Sequence, residues 1–182
     1  MRTLTVTLLL VPGLLAGQAT PATPAPAPAA LLPYRGFHAG VTAADFELRA
    51  RKLTRAGATP MICNTSTRTA QVMECGVLIH DPDDGAEYWL SGHFIDGKAD
   101  VVSFGDSGTT ELVVRAQREL RARYGAPHPV GTAAWEWRQG HQFVRLTWRA
   151  RGTRRWIFIQ LTDTDVMRAI GHYVPKEAPK KS

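Results

Sequence analysis

Cysteine is nearly absent: the 182 residues contain two, Cys63 and Cys75, and neither belongs to a Cys-x-x-C pair. Redox and zinc chemistry built on thiols is therefore disfavoured. Long apolar runs are missing too. The uncharged stretch from Leu4 to Ala16 falls well short of the ~20 residues that a spanning helix needs. Six histidines, at 38, 80, 93, 128, 141 and 172, show no His-x-x-x-His or comparable zinc spacing. There is no glycine-rich phosphate loop, so the sequence implies no cofactor and no metal. Lysine is scarce at 5 residues against 17 arginines, a ratio that GC-rich coding explains more readily than selection for phosphate contacts.

What is present at the start reads as a targeting segment. Met1-Arg2 is a short positive region, Leu4 to Ala16 is its apolar core, and Gly17-Gln18-Ala19 offers small residues for cleavage after Ala19. No cysteine adjoins that site, which excludes a lipid-modified amino terminus. Residues 1–19 are thus a signal peptide, and no transmembrane span is expected after cleavage. Residues 20–33 alternate alanine and proline, a polyproline-II linker without a core. One domain, 34–174, and a basic tail, 175–182, with Lys176, Lys180 and Lys181, complete the chain. The expected location is periplasmic or secreted. A net charge of +6 in that setting suits an acidic protein or an anionic envelope component rather than nucleic acid.

Export changes the meaning of the two cysteines. In an oxidising compartment a close, even pair reads as a disulfide. Cys63 and Cys75 flank a Thr- and Ser-rich centre that suits two antiparallel strands, and directly opposed residues in such a pair lie within disulfide reach. Closing a loop of this size stabilises a fold by roughly 3 kcal/mol on the chain-entropy model.

The pattern predicts an α+β domain, with helices packed on one face of an antiparallel sheet. A helix is expected over 42–56, capped by Thr42, favoured by Asp45 in its first turn and ended by Gly57, with Phe46, Ala50 and Leu53 as its buried stripe. A hairpin over 63–79 follows. Strands over 87–95 and 99–104 form another hairpin around Asp96-Gly97. A second helix over 110–124 buries Val113, Ala116, Leu120 and Tyr124 and stops at Gly125. Strands over 133–138, 142–151 and 155–162 lead to a short helix over 163–170, capped by Asp163. The strings 51–60 and 118–129 share a basic helix end, a glycine and a proline. That echo divides the domain into two tandem helix-plus-hairpins units, 34–106 and 107–174.

Helix one followed by this cysteine spacing resembles the repeat of the secreted β-lactamase inhibitor proteins, and looks like the related small outer-membrane assembly lipoproteins. The matching residues are Phe37, Gly40-Val41-Thr42, Cys63, Cys75, Tyr88 and Phe94. The second half follows only in its helix-then-strands order and has no cysteine pair. The resemblance implies a non-catalytic protein that binds another protein through an open sheet face.

Two strings suggest chemistry. Gly105-Asp106-Ser107-Gly108 is the tetrapeptide around a trypsin-like nucleophile, yet no histidine motif precedes it and the chain lacks the room for two barrels. Its residues suit a turn and a helix cap, with glycine supplying positive φ. Residues 80–87 place Asp81, Asp83, Asp84 and Glu87 around a glycine, but without the order of a calcium loop; a charged turn is the expectation. In strand 142–151, Val144, Leu146, Trp148 and Ala150 alternate with Arg145, Thr147, Arg149 and Arg151, so one side packs and the other is free. Arg145, Arg149, Arg151 and Trp156 are the candidate binding face, since arginine beside aromatics suits recognition.

The preferred function is a non-catalytic binding module acting on a protein or cell-envelope partner. The alternative is a small envelope hydrolase with a His–carboxylate site assembled from distant positions. A concave pocket that brings His93 or His141 to a buried carboxylate would favour the hydrolase.

Overall fold

The computed structural model describes residues 32–55, 57–81, 85–172 and 174–176. The expected signal peptide and most of the proline–alanine linker lie outside them, as do Asp83, Asp84, Lys180 and Lys181.

Helix α1 is Ala43–Leu53, and β1 Ile62–Thr65, β2 Val72–His80, β3 Glu87–Ile95 and β4 Lys98–Gly108 follow it. Helix α2 is Thr110–Tyr124, followed by β5 His128–Gly131, β6 Ala134–Gln139, β7 Gln142–Arg151 and β8 Arg154–Asp163. The short α3, Thr164–Arg168, runs into a 3-10 turn over Ala169–His172. All strand pairs are antiparallel, and the order across the sheet is β1-β2-β3-β4-β8-β7-β6-β5. The chain is α+β. Helices α1 and α2 are each followed by four strands, and the two sets of strands meet at β4 and β8.

Local chemistry accounts for most boundaries. Thr42 caps α1 by accepting the Asp45 amide at 3.1 Å, and Asp163 caps α3 by accepting from the Asp165 and Val166 amides. Asp96 and Gly97 both have positive φ, 49° and 77°, the backbone of a two-residue primed turn between β3 and β4. Gly125, at φ 82°, terminates α2 where expected.

The buried cluster joins Phe46 and Ala50 of α1, and Leu112, Val113, Ala116 and Leu120 of α2, to alternate residues of the sheet. Helix α1 packs against β2 and β3, α2 against β4, β7 and β8, and α3 against β4. Edge-on contacts link Phe37 with Phe46 and Phe104, Phe46 with Phe94, and Tyr34 with Phe104. Burial pushes the Tyr34 phenol up to about 12.

Five expectations need correction. Helix α1 stops at Leu53, before Gly57: Thr54 is extended and its hydroxyl donates to the Ala50 carbonyl at 2.9 Å, the backbone competition typical of threonine. Gly105-Asp106-Ser107-Gly108 is the end of β4, paired with Phe158 to Arg155 of β8, and neither glycine has positive φ. Tertiary pairing outweighs the turn preferences of those letters. Strand β5 went unseen because Pro129 sits within it; a proline is tolerated there because β5 is an edge strand. Leu32, assigned to the linker, is buried, and its amide donates to Gln142. Lys176, placed in the basic tail, is tied to the domain: it donates from Nζ to the Ser66 carbonyl and from its amide to the Arg68 carbonyl. No helix among the described residues is long and apolar enough to cross a membrane.

Candidate functional site

Directly opposed residues of antiparallel strands project to the same side, so the register sorts every side chain into one of two sets. One set is the buried cluster. The other forms rows across the strands. Leu78, Trp89, Gly105, Phe158 and Thr147 make one row, and Gly76, Ser91, Ser103, Gln160 and Arg145 the next. Glu74, His93, Val101 and Thr162 make a third.

This second set holds large apolar side chains in water. Trp89 is 50% exposed, Leu78 44%, Phe158 37% and Ile62 54%. Gly76 explains how Trp89 lies. A Cβ on Gly76 would sit 2.5 Å from Cζ2 of Trp89, so the indole rests across β2 where only glycine leaves space.

Beside that indole is a cleft of about 640 Å³, lined by Ile62, Asn64, Glu74, Gly76, Trp89, Ser91, His93, Ser103 and Gln160, among others. It is within the size range of small-molecule sites. His93 is positioned by a β-bulge. His93 pairs with Val101 and Phe94 with Ala99, which leaves Asp100 as the extra residue on β4. The bulge turns the Asp100 carboxylate to His93 Nδ1 at 2.5 Å, and Asp100 is 3% exposed. A buried carboxylate here assigns the proton to Nδ1, so the neutral ring offers Nε2 as an acceptor.

The disulfide belongs to the same place. Cys63 and Cys75 are directly opposed, with Cα atoms 4.0 Å apart, and they are bonded. All four residues of β1 are exposed. The strand therefore has no core anchor of its own and is held by its ladder and the bridge. It supplies Ile62 and Asn64 to the cleft wall.

The arginines proposed from the sequence separate into two groups. Arg145 is engaged: its Nε and Nη2 donate to Glu136 Oε2 at 2.9 and 2.6 Å, and Arg138 pairs with the other oxygen of this 1%-exposed carboxylate. Phe143 lies under both guanidiniums, 5.1 Å from each. Arg145 is thus part of a closed ion cluster. Arg149 and Arg151 are exposed and have no ion-pair partner among the described residues. Trp156 opposes Arg149, is partly buried, and has the Arg154 guanidinium 5.9 Å from its ring. The alternation in β7 holds through Leu146 and then fades, leaving Ala150 exposed, because β6 ends opposite Thr147.

His141 also meets a buried carboxylate, Asp163 at 3.3 Å from Nε2. That carboxylate already caps α3 and accepts from Gln142 at 3.1 Å, so the contact is structural. Ser107 is exposed in its strand, its amide bonded to the Asp106 side chain. Asp81 is ion-paired with Arg35, and no metal-holding group occurs among the described residues.

The sequence reading named His93 as a candidate partner for a buried carboxylate but identified neither the Trp89 cleft nor Asp100. Alternation over 87–95 could have found the first, since Tyr88, Leu90 and Phe94 pack while Trp89, Ser91 and His93 do not. The pair depends on a bulge, which no periodicity signals. No family model, no curated protein and no solved structure matches the chain.

Proposed function

We propose that the protein is an exported, non-catalytic binding module, in which the helices cover one side of the sheet and the other side engages a protein or anionic envelope partner. The observation that carries this reading is the row of exposed apolar and aromatic side chains, Leu78, Trp89 and Phe158, continued by Trp156 and by Arg149 and Arg151, which have no ion-pair partner among the described residues. Contiguous exposed apolar side chains rimmed by polar ones mark interaction sites, and tryptophan and arginine are enriched among the residues that dominate binding energy at interfaces. The disulfide supports export. The order of one helix then four strands, made twice along the chain, is what the tandem-unit reading rests on.

A pull-down from cell-envelope extract, run in parallel with Arg149→Glu and Trp89→Ala, tests the reading. A specific partner retained by the wild type and lost by both folded variants supports it. Identical partner sets abandon it.

The hydrolase reading has one observation in its favour, His93 held by buried Asp100 beside a cleft. A dyad of this kind needs a nucleophile or water and a group for developing negative charge. Ser91 and Ser103 share the cleft but make no hydrogen bond to His93, and among the described residues no lysine or arginine lines it. The binding reading uses more of what is there. Turnover of ester or glycoside substrates that His93→Ala abolishes would reverse that preference.

A further inference from the structure

The cleft beside Trp89 differs in charge from the rest of the molecule. The chain carries 22 lysines and arginines and a net charge of +6, yet no lysine or arginine among the described residues lines the cleft. Its charged lining residue, Glu74, is exposed and has neither an ion pair nor a hydrogen bond among the described residues. Glu74 directly opposes His93, whose ring is held through Nδ1 by the buried Asp100 carboxylate, so that a neutral ring presents Nε2 as an acceptor. Asn64, Ser91, Ser103 and Gln160 are likewise without side-chain partners among the described residues and face the same space. Trp89 closes one side as an aromatic platform, resting on Gly76 and half exposed.

These groups select against an anion, which the Glu74 carboxylate repels and no lysine or arginine among the described residues receives. A wholly neutral ligand would leave Glu74 without a counterpart. An ammonium answers both: it donates charge-assisted hydrogen bonds to a carboxylate and is attracted to the face of an indole. We propose that this cleft binds an organic ammonium ion, its carbon frame on Trp89, its charged nitrogen at Glu74, and any hydroxyl or amide groups on the cleft's polar side chains. The amine can come from an amino sugar or from a lysine-like side chain. The site is separate from the Arg149 end of the same side of the sheet. A pull-down unchanged in Arg149→Glu would leave this assignment standing, and an inert cleft would leave the partner reading standing.

The test is an NMR titration that follows the Trp89 indole N–H in the intact mature protein, with glucosamine, Nα-acetyl-lysine amide and glucose as probes. The expected result is a saturable shift with at least one ammonium probe and none with glucose over the same range; which probe binds identifies the source of the amine. Glu74→Gln, nearly isosteric and exposed, should weaken binding about tenfold, the loss of one charge-assisted contact. Trp89→Ala should abolish it, read by calorimetry. Glucose binding as tightly as glucosamine, no response to either ammonium probe, or an unchanged affinity in Glu74→Gln would each overturn the proposal.

Discussion

Asp100 shows how a single position serves the fold and the site together. Its carboxylate is almost fully buried and its visible partner is the His93 ring. Asp100→Asn keeps the volume but removes the charge that assigns the ring's proton. The expected outcome is a mixed His93 tautomer by ¹⁵N NMR and a loss of about 1–3 kcal/mol in urea unfolding. A ring that stays wholly Nδ1-protonated would contradict the assignment. Tyr34 makes a different point. Burial raises its phenol from 10 to about 12 because the phenolate cannot be solvated where the neutral ring packs. The unfolded chain ionises first, so this residue's contribution to stability is complete below pH 10 and is lost as pH rises towards 12. Burial holds the Tyr124 phenol above its ordinary range as well, so absorbance at 295 nm should show at least two phenols titrating late, with stability falling across the same window.

Among the elements, hairpins and helix starts were the legible parts. Asp96-Gly97 announced a primed turn, and both residues take the positive φ it requires. Gly97→Ala should cost more than the ~0.4–1 kcal/mol usually gained when glycine is replaced at a compatible site, and with the opposite sign; a stabilised variant would show that the turn had been misread. Helix α2 and strand β7 have the bounds their periodicity predicts, because each has one apolar side that must be buried. Where letters and tertiary pairing compete, pairing wins. Gly105 to Gly108 carry turn chemistry, yet they hold the end of β4 because β8 supplies partners for their backbone. The arginines of β7 were only half legible. Nothing in the spacing of Arg145 tells it from Arg149, and the difference is Glu136 on the next strand. The cleft was less legible still, since it needs a bulge, a glycine under an indole, and residues from five strands.

For the whole molecule, the bridge between Cys63 and Cys75 matters beyond its loop entropy. It ties a fully exposed edge strand to the sheet, and that strand is a wall of the cleft. Replacing both cysteines with serine should lower stability by roughly 3 kcal/mol and speed hydrogen exchange first along β1, ahead of the central strands β4 and β8. Uniform acceleration across the sheet would mean that β1 is not a separately held unit. The larger claim is that one side of the sheet is left for a partner. Hydroxyl-radical footprinting in cell-envelope extract, compared with buffer alone, tests it most directly. The account predicts protection of Trp89, Trp156 and Phe158, with Leu48, Val114 and Met167 on the helices labelled equally in both. Equal labelling of all six, or protection confined to the helical residues, would contradict it.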